Sequence, residues 1–175
     1  GSYFSNHFST IGIIGMNELL ERAGMDGIDS KIGQKFALEI MDEMNRWLAQ
    51  VQQADNCVYN LEATPAEGAT RRLAKLINHK NDYLTNSTWL PADCTENYKF
   101  VLDHQDELQC RYTGGTVTHL YTPQAIEPNQ VKALVKSIVE NYKLPYFSIT
   151  PTFSICHEHG YLEGEQVKCK KCGKP

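Results

Sequence analysis

The sequence predicts an α/β fold in which most strands pair in parallel. Short runs of apolar and β-branched residues alternate with longer segments in which apolar residues recur every three or four positions. Turn residues separate each short run from the helical segment that follows it. This order of strand, tight loop and helix occurs repeatedly along the chain and is typical of α/β architectures, because parallel strands need a crossover connection.

The first half of the chain contains two such units. Residues 10–16 (TIGIIGM) form a short apolar strand, and Asn17 is a suitable N-cap for a helix through ELLERAG. Ser30 is placed to cap a long helix, and residues 57–63 (CVYNLEA) predict a buried strand that leads into the helical run TPAEGATRRLAKLI. The apolar positions of the long helix are Ile32, Phe36, Ile40, Met44, Trp47, Leu48 and Val51.

The second half continues the alternation. Thr95 is a candidate cap for a helix ending in HQDELQ, and residues 114–121 (GGTVTHLY) predict a strand. A further helix (EPNQVKALVKSIVENY) is followed by one strand over YFSITPTFSI. The polar residues of the HQDELQ helix and its end, His104, Asp106, Glu107 and Arg111, are predicted to lie on a solvated face.

Composition limits the classes of function. A length of 175 residues suits one main domain with a small tail module. The net charge of −4 argues against a nucleic-acid-binding surface, and no apolar stretch is long enough to span a membrane. Six unevenly spaced cysteines without a secretory signal favour a reducing compartment, so we expect a cytoplasmic protein that binds metal.

The last twenty residues contain a candidate zinc site. Cys156 and His159 form a C-x-x-H pair, and Cys169 and Cys172 form a C-x-x-C pair. Each pair can place two ligands on adjacent tetrahedral vertices, and four protein ligands leave no open position, so the site is expected to be structural. The alternative is a set of unrelated reduced cysteines beside a surface histidine; His157 is the weaker ligand candidate because it directly follows Cys156.

A second candidate is a phosphate site at the start of the third helix. Small residues at a helix N-terminus leave backbone N–H groups available at the positive end of the helix dipole, which suits a phosphate. The alternative is an ordinary helix start with an acidic residue in its first turn. Arg71 and Arg72 either add positive charge or face solvent. The candidate residues are Thr64, Ala66, Glu67, Gly68, Ala69 and Thr70.

Five segments, in order along the chain, together resemble the anaerobic class III ribonucleoside-triphosphate reductases, which are glycyl-radical enzymes, and the resemblance runs from Tyr3 to Cys172. They are NHFSTIGIIGMNEL, YNLEATPAEGATRRLAK, YLTNSTWLP, HQDELQCRYTGGTVTHLY and YFSITPTFSICHEHGY. The resemblance covers the C-terminal portion of the large subunit. It implies that residues 3–150 are the later part of a ten-stranded α/β barrel and residues 151–175 a zinc-ribbon-like module. The residues Gly1 and Ser2 themselves indicate a remnant of cloning.

The same resemblance implies the chemistry. Family members reduce ribonucleoside triphosphates to deoxyribonucleotides for DNA replication, and the loop matching residues 64–70 holds the substrate phosphates. A glycyl radical, generated by a radical S-adenosylmethionine activating enzyme, produces a thiyl radical on a cysteine. The radical glycine and the thiyl cysteine match no residue of this chain, so no catalytic residue is assigned, and the isolated chain is expected to be inactive. The parent protein is expected to be a homodimer that uses formate or a thiol protein as electron donor.

A second interpretation belongs to a different class of protein. A stand-alone zinc-ribbon module could use the tail lysines to hold nucleic acid or a protein partner, although the net charge weighs against it. Those lysines are Lys168, Lys170, Lys171 and Lys174.

Overall fold

The computed structural model describes residues 7–91, 94–95, 97–123, 125–164 and 166–174, without the side chains of Glu67 and Glu163. Gly1 and Ser2, which we interpret as residues left by cloning, lie outside these residues. The fold is mixed α/β and divides into two compact units. Unit 1 comprises Gly1–Val117 with Lys143–Tyr146, and unit 2 comprises Thr118–Tyr142 with Phe147–Pro175. The boundary expected between residues 150 and 151 stays a prediction.

Unit 1 contains a parallel strand pair and four helices. Strand β1 pairs with β2 in register from Phe8 opposite Val58 to Gly12 opposite Glu62, so the carboxyl ends of both strands lie at one edge. The elements in chain order are β1 (Phe8–Gly12), α1 (Met16–Arg22), α2 (Lys31–Asp55), β2 (Val58–Glu62), α3 (Glu67–Leu76) and α4 (Tyr98–Gln109). The buried apolar side chains of unit 1 include Leu20, Ile28, Met41, Leu61 and Leu108.

Helix α2 confirms the clearest helix prediction, including its cap. The Ser30 hydroxyl accepts a hydrogen bond from the Gly33 N–H at 2.9 Å. Gly33 packs directly on the preceding turn, because a Cβ at this position would lie 2.1 Å from the Gly27 carbonyl oxygen. Contact with that turn therefore requires glycine at the start of α2.

Two other helix starts differ from the prediction. Helix α1 begins at Met16 with Gly15 as its N-cap residue, and the Asn17 side chain instead accepts a hydrogen bond from the Ile28 N–H at 3.0 Å. Helix α4 is capped by Asn97, whose side chain accepts from Phe100 N–H, rather than by Thr95. At Asn17, a bond to a turn eleven residues away has replaced the local cap.

Unit 2 contains a second parallel pair, one helix and a hairpin. Strand β3 pairs in parallel with β4 from Thr118 opposite Phe147, and β5 pairs antiparallel with β6. The elements are β3 (Thr118–Thr122), α5 (Pro128–Asn141), β4 (Phe147–Pro151), β5 (Phe153–Cys156) and β6 (Gly160–Glu163). None of the helices within the described ranges has the length and apolar character needed to cross a membrane.

The single strand predicted over residues 146–155 is in fact two strands, β4 and β5, divided at Thr152. The Thr152 N–H donates to the Thr122 carbonyl at 2.7 Å, and its carbonyl accepts from the Gly164 N–H at 3.0 Å. Thr152 therefore bonds to the end of β3 on one side and to the end of β6 on the other. These two bonds redirect the chain from the parallel pair into the hairpin.

Candidate functional site

The four predicted metal ligands meet at the end of the β5–β6 hairpin. Cys156 is the last residue of β5, and His159 closes the turn before β6. Cys169 and Cys172 come from a second turn, in which the Gly173 N–H donates to the Cys169 carbonyl at 2.7 Å. A glycine with positive φ follows each ligand pair, Gly160 at 70° and Gly173 at 71°. Because that conformation is strained for residues with a Cβ, both chelating turns favour glycine there.

The geometry of the cluster fits a tetrahedral metal ion. The Cys156 and Cys172 sulfurs lie 3.6 Å apart, and His159 Nδ1 lies 3.6 Å from each of the Cys156 and Cys169 sulfurs. All four ligand atoms lie within 4.8 Å of one another. Two sulfurs bound to zinc at about 2.3 Å in a tetrahedron are separated by about 3.8 Å, so the observed spacings are close to those of a closed zinc site.

The thiols of the cluster differ in their electrostatic environment. A hydrogen bond from the Cys172 backbone, with smaller contributions from Lys171 and Cys156, lowers the pKa of Cys169 to about 6 despite its burial. For Cys172, the backbone N–H of Lys174 lowers the pKa, but burial and the Cys156 and Cys169 thiols raise it by more. At neutral pH, Cys169 is therefore more readily available than Cys172 as a thiolate, the form that binds metal.

The predicted phosphate loop lies at the carboxyl edge of the unit 1 strand pair. It follows β2 directly, and its first part folds over the end of β1, since a Cβ at Gly12 would lie 2.3 Å from Thr64 Oγ1. Thr70 is buried, whereas Gly68 and Ala69 are exposed. In open parallel sheets, ligands bind outside the carboxyl ends of the strands, which is where this loop lies.

Helix α3 begins without a side-chain cap. Its N-cap residue is Ala66, which has no side-chain hydrogen-bond acceptor, whereas α2 and α4 are capped by Ser30 and Asn97. The first N–H groups of a helix have no intrahelical acceptor, so those of α3 point out of the helix start. A Cβ added at Gly68 would meet no atom within 4 Å, so the surface there is open. This arrangement can accept an anion.

The segment at residues 113–115 also lies at this carboxyl edge and bonds to the end of β2. Thr113 and Gly114 donate their N–H groups to the Leu61 carbonyl at 3.0 and 2.8 Å, and the Ala63 N–H donates to the Gly115 carbonyl at 2.9 Å. A Cβ at Gly114 would lie 2.9 Å from the Asn60 side-chain amide and 3.2 Å from the Leu61 carbonyl oxygen, so this close approach favours glycine. The segment at residues 113–115 thus clamps the end of β2 just before the candidate phosphate loop; sequence alone indicated only a turn into a strand.

The segment YLTNSTWLP bonds to the residues after β1. The Gly15 N–H donates to the Thr85 carbonyl at 2.9 Å, and Asn86 pairs with Ile14 in an antiparallel bridge. The buried Glu18 carboxylate accepts from the Thr85 N–H at 3.0 Å and from its hydroxyl at 2.7 Å. Four of the five segments that resemble the reductase family therefore converge on one edge of unit 1.

A buried chain of polar side chains on α4 was missed by the sequence prediction. His104, expected on a solvated face, is 4% exposed, and its Nε2 lies 2.7 Å from the Ile28 carbonyl. The Gln105 amide lies 3.1 Å from His104 Nδ1 and accepts from the Gln109 amide at 2.5 Å, and the Thr116 hydroxyl donates to Gln109. The chain thus links the turn before α2 to the segment that clamps β2.

Burial lowers the pKa of His104, although its bond to the Ile28 carbonyl and the charge of Asp29 act in the opposite direction. The neutral ring is compatible with both contacts, because Nε2–H can donate to the carbonyl while Nδ1 accepts from Gln105. Apolar spacing gave no signal for this burial. The available hint was that Gln105 and Gln109 are four residues apart, which places them on the same helix face.

The described metal cluster does not include the other three cysteines. Cys57 and Cys110 are exposed, and Cys94 is half-buried. Among the tail lysines, Lys174 pairs with Glu158 at 2.5 Å, and the other three are exposed.

Comparison with known proteins agrees with this geometry. Solved structures of anaerobic ribonucleotide reductases share the fold. One matches with a TM-score of 0.77 and 19% identity over 98% of this chain and 29% of its own. The enzyme from Thermotoga maritima with dATP in the specificity site matches with a TM-score of 0.73 and 21% identity over 98% of this chain and 30% of its own. No match was found among curated proteins.

The chain thus spans about 30% of the length of these reductases. A family model for anaerobic ribonucleoside-triphosphate reductase matches residues 1–175, which favours the reductase interpretation over a stand-alone zinc ribbon. The chain therefore belongs to the anaerobic ribonucleoside-triphosphate reductase family.

Proposed function

We propose that the protein containing this chain is an oxidoreductase that converts ribonucleoside triphosphates to deoxyribonucleotides, and that this segment contributes part of its barrel wall. The observation that carries the proposal is the family match over residues 1–175. The position of the loop at residues 64–70, at the carboxyl edge of a parallel pair, supports it.

Within that enzyme, residues 64–70 hold the substrate phosphates. Backbone N–H groups at the start of α3 donate to phosphate oxygens, and the helix dipole adds a favourable field. The candidate contacts are Thr64, Ala66, Glu67, Gly68, Ala69 and Thr70. The clamp at Thr113–Gly115 sets the position of this loop through its bonds to Leu61 and Ala63.

Zinc at Cys156, His159, Cys169 and Cys172 has a structural role. The close spacing of the four ligand atoms supports this assignment. Bound zinc would link the β5–β6 hairpin to the turn at residues 169–172, which have little apolar core of their own, and its binding free energy would add to the stability of the fold.

The remaining partners follow from family membership. The parent protein is a cytoplasmic homodimer whose glycyl radical is generated by a radical S-adenosylmethionine activating enzyme. Its barrel portion covers residues 3–150, and its zinc module covers residues 151–175.

A graded series at Gly68 in the full-length reductase tests the phosphate assignment. Because a Cβ at Gly68 meets no atom within 4 Å, Gly68→Ala and Gly68→Val should both fold, and both residues have higher helix propensity than glycine. Valine adds bulk where a phosphate would approach the backbone. We expect the KM for the triphosphate substrate to rise about tenfold or more for valine and less for alanine, because losing one charge-assisted hydrogen bond costs about 1.5–3 kcal/mol.

Zinc content and radical yield serve as controls for folding in both variants. An unchanged KM in Gly68→Val, with normal zinc content, would show that the loop is only a helix start.

A further inference from the structure

Helix α3 presents a shallow groove on its exposed face. The groove has a volume of about 420 Å³ and is lined by Gly68, Arg71, Arg72, Lys75 and Leu76. These positions recur at steps of one, three and four, so they share one side of the helix, opposite the buried Thr70 and Ala74. From Gly68 to Lys75 the groove runs about 10 Å along the helix axis.

The three cations of this groove have no anionic partner among the side chains that the structure describes. Some other cations of the chain, though not all, do have one: Lys35, Arg46, Lys80, Lys99, Arg111, Lys136 and Lys174 each pair with a carboxylate. Arg71 and Lys75 are four residues apart, a spacing at which like charges repel on a helix. Three cations on one helix face, with no anionic partner among the described side chains, are therefore suited to an external anion even in a chain with a net charge of −4.

The groove is continuous with the candidate phosphate loop. Gly68 belongs to both, because its N–H lies in the first turn of α3 and the residue also lines the groove. A Cβ added at Gly68 would point into open space. An anion bound at the helix start would therefore have the groove as the neighbouring surface. We propose that the groove binds the distal phosphates of the ribonucleoside triphosphate, and that Arg71, Arg72 and Lys75 make the site selective for triphosphates over diphosphates.

This inference rests on the proposed function of the loop and assigns it a source of selectivity. Arginine can donate two parallel N–H bonds to a phosphate, and lysine acts as a compact positive charge. A nucleoside diphosphate has one phosphate fewer to reach these groups. The cations therefore stabilise bound triphosphate more than bound diphosphate, whereas the N–H groups at the helix start serve both.

Equilibrium binding to the full-length, unactivated reductase tests the assignment without turnover. Isothermal titration with CTP and CDP would compare the native enzyme with the triple variant Arg71→Gln, Arg72→Gln and Lys75→Gln. We expect the Kd for CTP to rise at least tenfold while the Kd for CDP changes less than threefold. Inorganic tripolyphosphate should lose its ability to compete with CTP in the same variant.

The matched control is Lys35→Gln, Lys99→Gln and Lys136→Gln, which removes the same charge from exposed positions on other helices. It should leave both dissociation constants within about twofold of the native values, since long-range surface charge is screened at physiological salt. Equal weakening of CTP and CDP in the groove variant, or the same effect in the control, would overturn the inference.

The Gly68→Val enzyme separates this inference from the proposed function. If Gly68→Val weakens both nucleotides while the groove variant changes neither, the phosphate loop stands and the groove assignment is wrong. If neither variant changes either nucleotide, both assignments are wrong.

Discussion

Replacing Gln109 by leucine should lower the free energy of unfolding by about 2 kcal/mol, because it orphans a buried acceptor. Gln109 and Gln105 are both fully buried, and the Gln105 carbonyl oxygen accepts from the Gln109 amide at 2.5 Å. Leucine is similar in size, so the cost comes from lost hydrogen bonds and not from a cavity. The Gln105 carbonyl oxygen is left without a donor, and such an unsatisfied buried group costs about 1–3 kcal/mol. The half-buried Thr116 hydroxyl, which also loses its bond to Gln109, can instead bond to water.

Thermal and urea unfolding of the native protein and the variant measure this cost. For a chain of this length, 2 kcal/mol corresponds to a fall in Tm of about 4–8 °C. Gln53→Leu, at an exposed position of α2, is the matched control and should change the stability by less than about 0.5 kcal/mol. Adding Gln105→Leu to Gln109→Leu should cost less than the sum of the two single changes, because the partners then leave together. A Gln109→Leu variant as stable as the control would refute the buried chain.

Two further outcomes are expected. The protein should contain one zinc per chain by elemental analysis, and the Cys169→Ser variant should lose most of this zinc. The control variant Cys110→Ser, at an exposed position outside the cluster, should retain it. Equal metal content in both variants would contradict the assignment. Burial lowers the pKa of His104 below its ordinary value of 6.5, so the unfolded chain binds this proton more readily than the folded chain. The contribution of His104 to the free energy of unfolding should therefore be fully present above about pH 6.5 and be lost as the pH falls below that value. The His104→Gln variant should show a smaller acid-induced loss in denaturant titrations at pH 5 and pH 7.5, and an identical loss would exclude His104 as the cause.

Local patterns in the sequence were sufficient to predict that the helices exist, though not where α1 and α4 begin, and to predict the metal ligands. The apolar spacing from Ile32 to Val51 predicted α2, and Ser30 was correctly identified as its cap. The ligand pairs of the zinc cluster were equally readable, because each chelating turn spans four consecutive residues. Interactions over such short separations depend on residue type and spacing alone.

Details that depend on long-range contacts were not predictable in this way. Asn17 looks like a helix cap but bonds to Ile28, and His104 looks solvated but contacts a carbonyl 76 residues away in the chain. The division of β4 from β5 at Thr152 likewise depends on bonds to two other strands. In each case the hydrogen-bond partner comes from a segment that the local sequence does not indicate.

By itself, the sequence determined the α/β alternation, the resemblance to the reductase family and the identity of the four candidate zinc ligands. Only the tertiary structure decided that four of the family-like segments meet at the carboxyl edge of β1 and β2, and that Arg71, Arg72 and Lys75 line one groove beside it. The physical reason is that periodicity and spacing report which face of an element is apolar. Which elements share an edge depends instead on strand register and on hydrogen bonds between distant segments.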